Sequence, residues 1–436
     1  MKAPRLFSHP SISRRAFVGG TALGGHLFFP GLGQRLARAA ETRGADRRRP
    51  KSLILLWLEG GASQLETFDP HPGTKIGGDV RAIDTSLPGL RIADNLPRTA
   101  ERMHLATLVR SVVGNEGDHE RAVYQIKSGF RPAPALVHPA IGAVLCHADP
   151  TQSDLPRHVS ILPGQSPARG GYLGAALDAF KIGDPASPIP DVKRRVSEDR
   201  YRRRLEDLVQ VVEPEFSRGR LRDLERSRTL HRTATDAALR LMSSEQLTAF
   251  DVSHEPRAER EAFGDTPFGR GCLAAARLIE VGVRCVEVTL GGWDSHVSNH
   301  SLQRSACQKL DPALAALLGR LRERELLDTT LVVCGGEFGR TPRHNLADGR
   351  DHWPHGFSTL ICGGTFRRGC VHGATAADPQ ADDDRPLRDV SDPVTVADLH
   401  ATILSSLGVD PREELDTPIG RPMKRSDGNV VRELLA

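Results

Sequence analysis

Four short stretches of this chain concentrate the residue types that hold metals or move protons. The first is Glu59-Gly60-Gly61-Ala62-Ser63-Gln64-Leu65-Glu66-Thr67-Phe68-Asp69. Its glycines permit a sharp turn and a close approach of backbone to ligand. Glu59, Ser63, Glu66 and Asp69 offer oxygen, although a turn with a capping carboxylate explains the stretch equally well. The second is Gly291-Gly292-Trp293-Asp294-Ser295-His296, with His300 four residues on. A carboxylate beside imidazoles suits a divalent metal such as zinc or manganese; a hydrogen-bonded Asp–His pair is the plainer alternative. The third joins Gly335-Gly336-Glu337-Phe338-Gly339-Arg340-Thr341-Pro342 to Asp348-Gly349-Arg350-Asp351-His352-Trp353-Pro354-His355. An arginine can grip an oxyanion with two parallel hydrogen bonds, and Asp351 and His352 add ligands or an acid–base group. The fourth is Asn115-Glu116-Gly117-Asp118-His119-Glu120. There Asp118 can cap a helix that runs to Gly129, and His119 stands at its start.

These stretches need a scaffold that brings them together. Five short apolar runs read as buried strands: Leu53-Ile54-Leu55-Leu56-Trp57-Leu58, Val159-Ser160-Ile161-Leu162, Val283-Arg284-Cys285-Val286-Glu287-Val288-Thr289-Leu290, Thr330-Leu331-Val332-Val333-Cys334 and Phe357-Ser358-Thr359-Leu360-Ile361-Cys362. Runs that are apolar throughout and alternate with helical patterns indicate a parallel sheet covered on both faces. The clearest helical patterns cover 201–212, 221–242 and 267–281, and a closing helix is expected from Asp398 to a stop at Gly408. An Arg-rich helical insertion is expected at about 195–260, its charges reading as a solvated face. Three strands end in Gly-Gly beside ionisable groups. In open α/β sheets, sites form outside the carboxyl ends of strands, so the stretches should converge on one edge.

The N-terminus reads as a separate piece. A basic stretch containing Ser13-Arg14-Arg15-Ala16-Phe17 precedes a weakly apolar run and the small-residue pattern Ala37-Arg38-Ala39-Ala40, the order of a signal peptide. The run is Gly-rich, interrupted by Pro30 and too short to span a membrane. The paired arginines resemble the twin-arginine signal, so residues 1–39 are expected to direct export to the periplasm or beyond, with the twin-arginine translocon as transient partner. The full chain carries 59 Lys+Arg against 55 Asp+Glu; residues 1–39 hold six of the basic residues and no acidic one. The remainder is slightly acidic, at 53 against 55, which gives no support for a nucleic-acid partner. What remains exceeds the about 250–300 residues at which a single core stops growing, so a large α/β domain over 50–436 with insertions is expected. Its seven cysteines are odd in number, lack a C-x-x-C spacing and lie mostly in apolar runs. Buried free thiols are expected rather than a disulfide framework.

Taken together, these pieces resemble the domain-of-unknown-function 1501 family, exported bacterial proteins of the alkaline phosphatase and sulfatase-like superfamily. The matching segments are residues 57–69, the stretch around His119, Phe263-Gly264-Asp265-Thr266-Pro267-Phe268-Gly269-Arg270, and residues 291–296, 336–342 and 349–354. The resemblance implies a doubly wound, mostly parallel α/β sheet with helices on both faces. It also implies hydrolysis of phosphate or sulfate esters at one or two metals. Two departures stand out. The late strand that normally ends in Asp-His here carries Glu337-Phe338, and the nucleophile position, ten residues before Gly129, is His119. A histidine there can be nucleophile, ligand or acid–base group, or catalysis is lost. The expected metal ligands are Asp294, His296, Glu337, His352 and Glu59, holding Zn, Mn or Ca. Arg340 is expected to clamp an oxyanion, with His119 and Ser63 as catalytic groups. The expected activity is metal-dependent hydrolysis of a small-molecule or glycan ester; the alternative is a non-catalytic binding or partner protein on a degenerate sulfatase-like fold.

Overall fold

A computed structural model describes residues 52–150, 153–189, 196–207, 241–242, 244–379 and 389–436. The expected export signal lies outside the described residues, as does most of the expected insertion at 195–260. Of that insertion, the helices Glu198–Asp207 and Arg257–Phe263 are described.

The main sheet has nine strands, in chain order β1 (Ser52–Leu58), β2 (Ala106–Val113), β3 (His158–Ile161), β4 (Phe180–Ile182), β5 (Cys285–Leu290), β6 (Thr330–Gly335), then β9 (Phe357–Cys362), β10 (Cys370–His372) and β11 (Val394–Thr395). Between β6 and β9 lies a two-stranded ribbon of β7 (Gly339–Arg340) and β8 (His352–Trp353). The spatial order is β10-β2-β9-β6-β1-β5-β3-β4, and β11 also pairs with β2. β1 is parallel to both of its neighbours, with Leu53 opposite Cys285 on one side and Leu331 on the other.

Alternate residues of the central strands enter two separate cores. Ile54, Leu56, Val286, Val288, Val332 and Cys334 pack into one with Leu273 of helix Pro267–Glu280 and Leu314 of helix Asn299–Glu323. Leu53, Cys285, Leu331 and Val333 pack into the other with Val144 of helix Ile141–Ala148 and Leu399 of helix Val396–Ser406. Side chains that alternate across a strand and are buried on both sides explain the unbroken apolar runs, and this is the doubly wound arrangement. β5 lies on one side of β1 and β6 on the other, so the chain crosses over β1 between them. Their carboxyl ends, with that of β1, form one crevice.

One strand departs from the parallel reading. β9 is antiparallel to both β6 and β2. The 21 residues between Gly335 and Phe357 contain the β7–β8 ribbon and no helix; a connection without a crossover element brings the chain straight back. Gly363-Gly364 therefore lies at the edge opposite the crevice. The sequence reading does not anticipate β2, where Arg110 and Ser111 interrupt the apolar run, the short strands β4, β10 and β11, the helix Ile141–Ala148, or the 25-residue helix Asn299–Glu323, which contains Pro312 and opens on a polar half. All seven cysteines are unpaired, six of them buried. Among the described residues, no helix is long and apolar enough to cross a membrane.

Candidate metal centre

The crevice is built by two glycines and a helix end. Gly60 and Gly61 follow β1 with φ of 111° and 81°. A Cβ at Gly60 would lie 2.5 Å from the backbone nitrogen of Asp294, and one at Gly61 would lie 2.5 Å from the Phe338 ring. Only glycine lets the ends of β1, β5 and β6 close up this far. Facing them is α1, the helix His119–Ser128. Asp118 caps it by accepting the backbone N–H of Arg121, and Gly129 ends it at φ 80°. The cap places His119 at the mouth of the crevice.

Three imidazoles converge there on one carboxylate. His296 Nε2 lies 3.1 Å from Asp294 Oδ1, His352 Nε2 lies 3.4 Å from the same oxygen, and His119 Nε2 lies 3.4 Å from Asp294 Oδ2. Each ring is held from behind through its other nitrogen. His119 Nδ1 meets Glu337 Oε1 at 3.0 Å, His296 Nδ1 meets Asp351 Oδ1 at 2.9 Å, and His352 Nδ1 meets the Gly117 carbonyl at 2.7 Å. A carbonyl can only accept, so His352 carries its proton on Nδ1 and turns a bare Nε2 inward. Carboxylates and carbonyls behind the ring are the usual means of orienting a metal-binding histidine. Phe338, fully buried, packs on His352 with ring centroids 4.4 Å apart and on His119 at 5.1 Å.

The electrostatics match a cation site. The hydrogen bond to Glu337 raises the His119 pKa above its ordinary value, against burial. Burial lowers that of His352. Burial opposes ionisation of Asp294, but the hydrogen bond and charge of Arg340, with the nearby histidines, hold it below the usual carboxylate range. The hydrogen bond from His296 lowers Asp351 likewise.

The residues present fit a bound cation on two further observations. Glu337, with a fully buried side chain, accepts the Gly60 N–H at 2.8 Å through Oε1, while its Oε2 has no hydrogen-bond partner. Two ring nitrogens, His296 Nε2 and His352 Nε2, face each other at 3.0 Å. A buried orphan oxygen and opposed imidazole nitrogens are both relieved by a cation. His119, Asp294 and His352 offer ligand atoms that all lie within 4.8 Å of one another.

A family model described as "Protein of unknown function (DUF1501)" matches residues 50–435. This chain belongs to that family. Among solved structures, the DUF1501 chain is similar to a protein in the alkaline phosphatase superfamily from Vibrio parahaemolyticus, at 14% identity, covering 89% of this chain and 71% of that one with a TM-score of 0.39. It is similar to the PsFucS1 sulfatase from Pseudoalteromonas sp., at 9% identity, 94% and 76% coverage and a TM-score of 0.39. It is also similar to the C-terminal periplasmic domain of EcEptC from Escherichia coli in complex with Zn, at 11% identity, 87% and 90% coverage and a TM-score of 0.37. No curated protein matches the chain.

In this DUF1501 fold the expected site residues separate into two groups. His119, Asp294, His296 and His352 meet, with Glu337 directly behind His119. Glu59 points elsewhere: its Oε1 accepts the Gln165 N–H at 3.0 Å. Ser63 is fully buried beneath the turn, its hydroxyl given to Glu66. Arg340 is fully buried as well. Its guanidinium donates to the carbonyls of Gly60, Gly61 and Arg350 and to Asp294 Oδ1 at 2.6 Å. Four of its five N–H donors are thus engaged within the protein, one of them in holding Asp294. Gln64, which brackets the Arg340 backbone by bonding both its N–H and its carbonyl, was not singled out from sequence, and Glu66, read there as an oxygen ligand, is instead paired with buried Arg350. Their partners lie more than 270 residues away, and neither side chain has a local signature.

Proposed function

We propose that this chain is an exported, metal-dependent hydrolase of phosphate or sulfate esters. The observation that carries the reading is the convergence of three imidazoles, each oriented from behind, on Asp294. His119, Asp294, His296 and His352 would hold the metal, with Glu337 Oε2 in reserve behind them. When bound, a divalent ion supplies Lewis acidity toward an ester oxygen and lowers the pKa of a water. The protein's own part is positional. Arg340 fixes the Asp294 carboxylate, Asp351 and the Gly117 carbonyl fix two imidazoles, and the Phe338 ring excludes water from one side. His119, expected from sequence as the reactive group, is read here as a ligand because its Nε2 faces Asp294. The Arg14-Arg15 signal supports export by the twin-arginine route to the periplasm or beyond.

Elemental analysis of the purified mature chain, melting with and without a chelator, and a screen of aryl phosphate, phosphodiester and aryl sulfate esters test this reading. Tightly bound Zn, Mn or Ca is expected, together with a melting temperature that falls on chelation and turnover that is lost in His352→Ala. Absence of metal with unchanged melting would sink the metal centre. Bound metal with no turnover would instead favour the non-catalytic binding protein, the role left open by Phe338 and His119 at the two departures from the sulfatase-like superfamily pattern.

A further inference from the structure

We infer that a second cavity, beside the metal centre and separate from it, binds the organic part of the substrate, and that this part is an acidic sugar-sized ring. The inference rests on the hydrolase reading for the word substrate, and on the cavity itself for the ligand class.

The cavity has a volume of about 410 Å³, within the range of small-molecule sites. Both of its walls begin at the crevice. One is α1: His119 enters the metal cluster, and the next residues, Glu120 and Arg121, already line the cavity, followed a turn later by Tyr124. The other is the loop after β3. There Gln165 is tied to Glu59 at the end of β1, and Ser166 to Arg169 line the cavity. A group bound here therefore lies within reach of an ester held at Asp294.

The lining defines the ligand. Half-buried Tyr124 and buried His138 line one side. Tyr124 Oη lies 2.7 Å from His138 Nδ1 and accepts the His138 N–H at 2.7 Å, and buried Phe130, outside the lining, stacks on the His138 ring with centroids 4.4 Å apart and planes 9° apart. An aromatic wall with polar edges suits the C–H face of a pyranose, whose hydroxyls meet the edges. Three cations line the space against one acid, Glu120. Lys127 is paired with Glu287 at 2.9 Å and Arg121 with Glu116 at 2.6 Å. Arg169 is exposed and has no partner among the described residues. A guanidinium in that state matches a carboxylate or sulfate on the ring.

The test is direct binding, with no ester in the probe. Calorimetry and saturation-transfer NMR on the mature protein would compare glucuronate with glucose. Glucuronate is expected to bind at least about tenfold more tightly. Arg169→Ala should lose that preference, and Val137→Trp, at a position 53% exposed on the cavity wall, should fill the space and abolish binding of both sugars. His352→Ala should bind glucuronate as the wild type does. Equal affinity for the two sugars, binding of neither, or unchanged binding in both cavity variants would overturn the inference. Metal content, measured on the same samples, separates that failure from failure of the hydrolase reading.

Discussion

Each imidazole of the cluster is aimed by a different kind of acceptor: a buried carboxylate at His119, an exposed one at His296 and a backbone carbonyl at His352. The middle case isolates the effect of charge behind the ring. Asp351→Asn keeps the shape of the acceptor and removes its charge. Metal affinity is expected to fall about 10–100-fold, measured by competition with a chromogenic chelator, while the metal-free protein melts as before because Asp351 is half exposed. Unchanged affinity would mean that Asp351 contributes nothing to the centre. At this scale Asp294, His296 and His352, which sit within a few residues of apolar runs, are brought together as sequence reading grouped them. It could not orient Arg340. Whether a guanidinium turns outward to an anion or inward to the Gly60 and Gly61 carbonyls depends on backbone contributed by a strand some 280 residues earlier.

α1 connects the site to the rest of the fold, and its two ends were both legible. Asp118 and Gly129 are cap residues with local mechanisms, so a ten-residue helix between them could be placed. The packing against its C-terminal end was not legible. A Cβ at Gly129 would lie 2.7 Å from Cγ of His400, on the helix Val396–Ser406. Gly129→Ala therefore combines a left-handed backbone with overpacking and should destabilise the fold by about 2–4 kcal/mol, read from urea unfolding. His400 itself gives the contact a pH dependence. Burial pushes its pKa from 6.5 to about 4. Between those values the folded protein keeps the ring neutral while the unfolded chain protonates it. The unfolded state then binds more protons, so stability falls as pH drops from 6.5 to about 4, by about 3 kcal/mol in all, and levels off below. In His400→Met this component of the acid loss should be absent; an identical pH profile would refute it.

Over the whole molecule, strands from the two halves of the chain interleave across the main sheet. The strand order puts β5 and β6 on either side of β1, so residues from positions 59, 119, 294, 337 and 352 share one edge. The charge partition is also a whole-chain property: the basic excess lies in residues 1–39 and the remainder is slightly acidic. If those residues direct export as proposed, replacing Arg14 and Arg15 together by lysine should leave full-length precursor in the cytoplasm. Fractionation and the mass of the intact chain read this out; continued export of a shortened form would refute the twin-arginine assignment.

The sequence by itself determined where five of the nine main-sheet strands lie, that both faces of the sheet are covered, and which polar stretches stand at strand ends. Apolar periodicity and glycine-terminated runs are local, and local rules read them. The tertiary structure alone decided that β9 runs antiparallel, that Ser63 and Arg340 are closed inside the turn, and that three histidines present Nε2 to one aspartate. Those outcomes depend on which strands become neighbours and on hydrogen-bond partners more than 200 residues apart. Such pairings are settled by packing the whole chain, and no short window of sequence contains them.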